Sequence, residues 1–172
     1  MELYGTAAAM VSVCDSMNYL LEESDLEQVF RLVNNYLDPG GVFIFDLKTD
    51  AYFLRLGSST FAENRDHASF IWENFYDSAK KINQYDLTVY VSEDYLNDSD
   101  EEYDDEPPVF LRFDETHCQR AYSVEQIRMA AEKAGMEFVK AVEAFTSAEP
   151  APDSERLYII LREKRQEGKY YE

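Results

Sequence analysis

The sequence predicts an α/β fold interrupted by an antiparallel β insertion, on three observations. First, an apolar run, an amphipathic helix with a cap signal, a Pro-Gly-Gly turn and a second apolar run follow one another over residues 7–47, the pattern of a βαβ unit. Second, three aromatic-rich segments with period-two alternation occupy residues 69–120. Third, another capped helix and two more apolar runs complete the pattern. At 172 residues, the chain holds one domain core and is too short for two ordinary ones.

Each element has a local reason. Ala7 to Cys14 is a nearly continuous apolar run, as expected of a strand buried on both faces of a parallel sheet, and the Asp15-Ser16-Met17-Asn18 cluster turns the chain after it. Ser24-Asp25-Leu26-Glu27 reads as a capping box, followed by Leu26, Val29, Phe30, Val33 and Leu37 along one face of a helix over 25–37. Asp38-Pro39-Gly40-Gly41 should stop that helix and turn into a strand over Val42 to Leu47. Segments 69–75, 81–91 and 109–120 read as three antiparallel strands, the first two joined by a hairpin at Asp77-Ser78-Ala79. Ser123-Val124-Glu125-Gln126 is a second capping box, with Gly135 as terminator. Met136 to Ala144 and Leu157 to Arg162 should pair antiparallel, because no helix lies between them. The polar 166–172 tail is expected to fray.

Charge and composition exclude several functions. Sixteen Lys and Arg against 35 Asp and Glu give a net charge of −19, and no basic patch is present to overcome repulsion from a phosphate backbone. Nucleic-acid binding is disfavoured. No apolar run reaches membrane-spanning length, and the start has no signal-peptide pattern, so a cytoplasmic protein is expected. Cys14 and Cys118 are expected as reduced thiols, with Cys14 a small buried residue; His67 and His117 are isolated, and no zinc spacing exists. Residues 93–106 hold nine acidic residues in fourteen. That reads as a solvated loop, since the glycine and spacing of an EF-hand loop are missing; a calcium-binding domain is the weaker alternative.

Cys14-Asp15-Ser16-Met17-Asn18-Tyr19 and Pro39-Gly40-Gly41-Val42-Phe43-Ile44-Phe45-Asp46 resemble the class I S-adenosylmethionine-dependent methyltransferases, in a bacterial, largely uncharacterised branch. Ile71-Trp72-Glu73-Asn74, His117 to Tyr122 and Glu155 to Tyr158 extend the likeness over most of the chain. The resemblance implies a partial Rossmann-like sheet: segments 7–14, 42–46, 136–144 and 157–162 would be strands 4, 5, 6 and 7 of an order 3-2-1-4-5-7-6. Residues 1–49 and 123–165 would form the C-terminal half of the α/β core with two helices. Residues 50–122 would form a three-stranded antiparallel lid, and 166–172 a tail. The family's glycine-rich turn after strand 1 has no counterpart here. The resemblance therefore implies the C-terminal portion only, with Met1 at an internal position, inactive alone and not binding S-adenosylmethionine by itself. The alternative is a non-catalytic module that works by association. Loss of cover on one sheet face would favour a homodimer or larger assembly through strand 7–14 or the bared face.

The candidate site follows from ligands of open α/β sheets binding beyond the carboxyl ends of the strands. Asp15, Asn18 and Tyr19 lie on the first such loop, Asp15 as base or hydrogen-bond acceptor and the others as orienting groups; Asp15 and Ser16 would equally serve as a turn and cap. By resemblance the loop borders the methyl group, with Cys14, Asp15 and Ser16 toward the cofactor. Asp46 ends the second strand and is a candidate for the small-molecule acceptor. Trp72, Tyr76, Tyr85 and Tyr90 would line an aromatic pocket or pack the sheet. His117, a candidate base, and Arg120, a candidate acceptor-binding residue, are three apart on a strand and should face opposite ways.

Overall fold

The computed structural model describes residues 5–96 and 107–164. Its elements run β1 (Ala7–Ser12), a 3-10 turn (Ser16–Tyr19), α1 (Glu23–Tyr36), β2 (Leu37–Lys48), α2 (Asp50–Leu56), β3 (Ser59–Asn64), β4 (Ala68–Asp77), β5 (Ile82–Ser92), α3 (Glu93–Leu96), β6 (Phe110–Arg120), α4 (Val124–Lys133), β7 (Met136–Glu143) and β8 (Arg156–Glu163). They build two sheets, ordered β1-β2-β8-β7 and β3-β4-β5-β6. In the first sheet β1 and β2 are parallel, while β8 runs antiparallel to both β2 and β7.

The core lies on one face of the first sheet. Phe43, Phe45 and Leu47 alternate along β2 and meet Leu161, Ile159 and Leu157 of β8 in register. Leu26, Phe30 and Val33 of α1 and Ile127, Ala130 and Ala131 of α4 cover them. Phe30, Phe43 and Phe45 form a ring cluster with centroids 4.9 to 6.2 Å apart. The opposite face is more open, and β1 is an edge strand; Val11 is 63% and Val13 56% exposed. The expected burial of 7–14 on both faces is therefore corrected: among the described residues helices cover one side of the sheet, and the strand ends at Ser12.

Other local readings change as well. Helix α1 begins at Glu23, capped by Glu22 without a side-chain bond, so Ser24 lies inside the first turn and does not cap. Acidic Glu23 and Asp25 sit at the amide end of the helix, where the dipole favours them. The Pro-Gly-Gly segment does not leave the sheet. It is absorbed as a bulge at the start of β2, where Ala7 pairs with Leu37 and Ala9 with Val42. Gly40 adopts φ 73°, and its amide bonds Glu163 at 2.9 Å.

The second sheet has four strands, not three, because β3 pairs with β4. Ser-Thr-Phe-Ala-Glu-Asn is mostly exposed and carries no apolar stripe to reveal it. Helix α2 is also additional to the two expected: Thr49 caps it through the Tyr52 amide at 3.2 Å. The Ser123 box forms as read, with both reciprocal bonds. Residues 97–106 of the acidic run and the 166–172 tail lie outside the described residues. Among the described residues no His, Cys, Asp and Glu group could hold a metal ion, and no helix is long and apolar enough to cross a membrane.

Candidate functional site

The chain leaves β1 through a tight loop. Cys14 (φ 61°) and Asp15 (φ 51°) are consecutive non-glycine residues in the left-handed region, which is uncommon and costly for each. Asp46, buried at the end of β2, accepts the Asp15 amide at 3.1 and 3.3 Å. Ser16 Oγ donates to the Val13 carbonyl at 2.7 Å. Asn18, fully buried, accepts the Lys48 amide at 2.9 Å and donates to the Lys48 and Arg120 carbonyls at 2.9 and 2.8 Å. The loop is thus tied to both sheets.

These ties aim the Asp15 carboxylate at a cluster of donors. Lys48 Nζ stands 2.9 Å away, Arg156 donates at 3.0 Å and Gln119 Nε2 at 2.8 Å. Arg156 also pairs with Asp46, so one guanidinium bridges two carboxylates. Burial alone would raise the Asp15 carboxyl; the bonds from Lys48, Gln119 and Arg156 outweigh it and hold the group below the usual aspartate range. Arg156 is held above its usual range, the two carboxylates outweighing its burial. Outside Arg156 a cleft of about 370 Å³ opens between Tyr52, Glu143, Phe145 and Asp153.

The second sheet turns one face toward this loop, and strand register orders that face into rows. Tyr76, Asn83 and Gln119 form one row; Ser59, Asn74, Tyr85 and His117 the next; Phe61, Trp72, Leu87 and Glu115 the third. Tyr85 stacks on His117 at 4.7 Å and lies 4.5 Å from Trp72. Its hydroxyl shares a hydrogen bond with that of Tyr19. Burial first, then Tyr19 and the nearby carboxylates Asp15 and Glu115, push the Tyr85 hydroxyl up. His117 Nε2 meets Glu115 at 2.9 Å, and Tyr19 approaches the imidazole edge-on at 5.9 Å.

The sequence-derived candidates therefore separate. Asp15, Tyr19, Asp46, Trp72 and His117 gather around the loop, together with Tyr85. Asn18 is spent on backbone ties and has no surface to offer a ligand. Tyr76 faces the same way, but its hydroxyl is engaged by Asp50 and its ring stacks on Phe53. Arg120 leaves this face to bond the Leu21 carbonyl and Glu23, as its odd spacing from His117 required; Tyr90 likewise lies on the other face. Cys14 is an exposed free thiol, a correction of its expected burial, since it stands on the loop beyond the strand. Lys48, Gln119 and Arg156 were missed. Two carried a readable signal: Lys48 follows Asp46, and Gln119 follows His117, at the two-residue step that shares a strand face.

Comparison with known proteins bears on this geometry. No family model matches the chain. It is 32% identical over 162 residues to YqeM of Bacillus subtilis, named provisionally as a methyltransferase; the match covers 94% of this chain and 60% of that protein. A solved S-adenosylmethionine-dependent methyltransferase of Clostridium acetobutylicum superposes with TM-score 0.77 at 23% identity, over 96% of this chain and 61% of the other. The fold is that of the S-adenosylmethionine-dependent methyltransferases. CalS10 of Micromonospora echinaspora, an amino pentose methyltransferase solved with its methyl donor bound, shares this methyltransferase fold at TM-score 0.59 and 12% identity, over 95% of this chain and 61% of that one. The chain spans about three-fifths of the length of the Bacillus relative.

A methyl donor is held where backbone can approach it closely. The only adjacent glycines, Gly40 and Gly41, open β2. A Cβ on Gly41 would come within 3.0 Å of the Ala8 carbonyl, so its bareness serves strand packing. Gly41 therefore offers no bare backbone cradle for a donor.

Proposed function

We propose that this chain forms the acceptor-facing part of an S-adenosylmethionine-dependent methyltransferase acting on a small molecule. The observation that carries the reading is the strained Cys14–Asp15 loop, fixed beneath the aromatic face of the second sheet within this fold. In this reading residues 1–49 and 123–165 belong to the α/β core, and 50–122 form a lid over the acceptor. The family's donor supplies a methyl group from a sulfonium; what these residues do is confined to the acceptor. Asp15, with its oxygens engaged and its proton affinity low, positions and accepts hydrogen bonds, and is a poor base at neutral pH. His117 is the proton acceptor: Nε2 lies 2.9 Å from Glu115, and in the neutral ring that donates Nε2–H to this carboxylate the lone pair is on Nδ1. Asp46 holds the loop in shape, Tyr19 and Trp72 flank the acceptor, and Cys14 and Ser16 face the donor side.

The test joins this chain, by co-expression, to the part of the Bacillus relative that it does not span, and follows methyl transfer from S-adenosylmethionine to a panel of small molecules. Asp15→Ala is expected to lower turnover by more than 100-fold, on the order expected for lost positioning. His117→Gln should lower turnover by about 100-fold or more, the range for loss of a general base. Turnover indifferent to both substitutions would reject the assignment.

The exposed β1 edge supports a second element of the proposal, self-association through this strand. Light scattering is expected to show an assembly that Val11→Lys disperses; a wild-type monomer at micromolar concentration would remove it.

A further inference from the structure

The inner face of the second sheet carries an unspent donor. Trp72 Nε1 is buried and has no hydrogen-bond partner among the described residues, and Ser59 Oγ in the adjoining row is in the same condition. Four polar neighbours on this face are engaged: Asn74 and Asn83 bond each other, Gln119 bonds Asp15, and Tyr85 bonds Tyr19. A buried donor left unpaired costs about 1–3 kcal/mol, and folding gains nothing visible from leaving two on one face. Such groups call for an explanation, and a missing ligand atom is one.

We infer that the Trp72 indole N–H selects the acceptor molecule by donating to it, and that this molecule is a neutral ring compound carrying a hydroxyl, carbonyl or ether oxygen. Indole can only donate, so the bound atom must offer a lone pair, which an ammonium group lacks. Ser59, able to donate or accept, fits a second oxygen. The Trp72 ring lies against Tyr85 and shares its row with Phe61 and Leu87, a flat apolar surface suited to a ring. Glu115 ends the same row, and the chain carries −19, so an anionic ligand is disfavoured. This inference rests on the reading that the acceptor binds against the inner face of the second sheet.

Trp72 is the sole tryptophan, so one indole cross-peak in a nitrogen-15 correlation spectrum reports on it alone. Cyclohexanol, cyclohexanone and cyclohexylammonium are titrated separately, with no methyl donor present. The two oxygen probes are expected to move the indole proton downfield saturably, and the ammonium to leave it in place. Trp72→Phe, which keeps a ring, should bind the oxygen probes about 3- to 10-fold more weakly, the loss of one neutral hydrogen bond. An equal response to the ammonium, no saturable response to either oxygen probe, or unchanged affinity in Trp72→Phe overturns the inference. Failure of methyl transfer in the co-expressed enzyme would instead strike the proposed reaction and leave these spectra standing.

Discussion

At the scale of single residues, Asp15 sets the character of the site. Its carboxyl titrates lower in the fold than in the open chain. The stabilisation it supplies is therefore complete above the ordinary aspartate value of about 3.9, and is lost as pH falls through the lower folded value. Asp15→Asn should cost about 1.5–3 kcal/mol at neutral pH, the range for hydrogen bonds to charged groups. Urea titrations across the acid range should show that difference closing as the wild-type carboxyl protonates. A difference that stays constant to low pH would mean that Lys48 and Arg156 do not hold the carboxylate.

At the scale of elements, the two capping signals give opposite expectations. Ser123 accepts the Gln126 amide at 3.2 Å, and Ser123→Ala should cost about 1 kcal/mol. Ser24 caps nothing, and Ser24→Ala should stay within about 0.5 kcal/mol. Urea midpoints at constant slope read both. The pair also shows what local pattern can reveal. The strand–helix–strand order, the hairpin at Asp77 and the Ser123 cap rest on neighbours a few residues apart, and their signals stand in the sequence. The Ser24 box did not form, because Glu22 and Glu23 start the helix earlier. The fourth strand, β3, pairs through its backbone and so shows no stripe. The partners of Asp15 come from 104 and 141 residues away at Gln119 and Arg156; strand register brings them there, and local spacing tells only that Gln119 shares a face with His117. Asp15, Trp72 and His117 could be found because the ends and faces of strands are predictable places. Which of their neighbours would be already engaged was not.

At the scale of the whole molecule, one covered face carries the core. Phe45 is fully buried against Phe30 and Ile159, and Phe45→Ala should cost about 3–5 kcal/mol. Val11→Lys, on the open edge, should leave the unfolding midpoint of the separated chains nearly unchanged. Thermal unfolding of both variants at matched concentration separates core loss from edge loss.

Asn18 is the joint between these scales. One amide side chain clasps Lys48 on the first sheet and Arg120 on the second. A swing of the second sheet would break these bonds, and the latch it released is also the pin that shapes the Asp15 bend. Admission of a ligand by a large hinge movement would disassemble the very catch that receives it. Under the proposed function, an acceptor that kept the catch intact would slip in past side chains while the frame stayed shut.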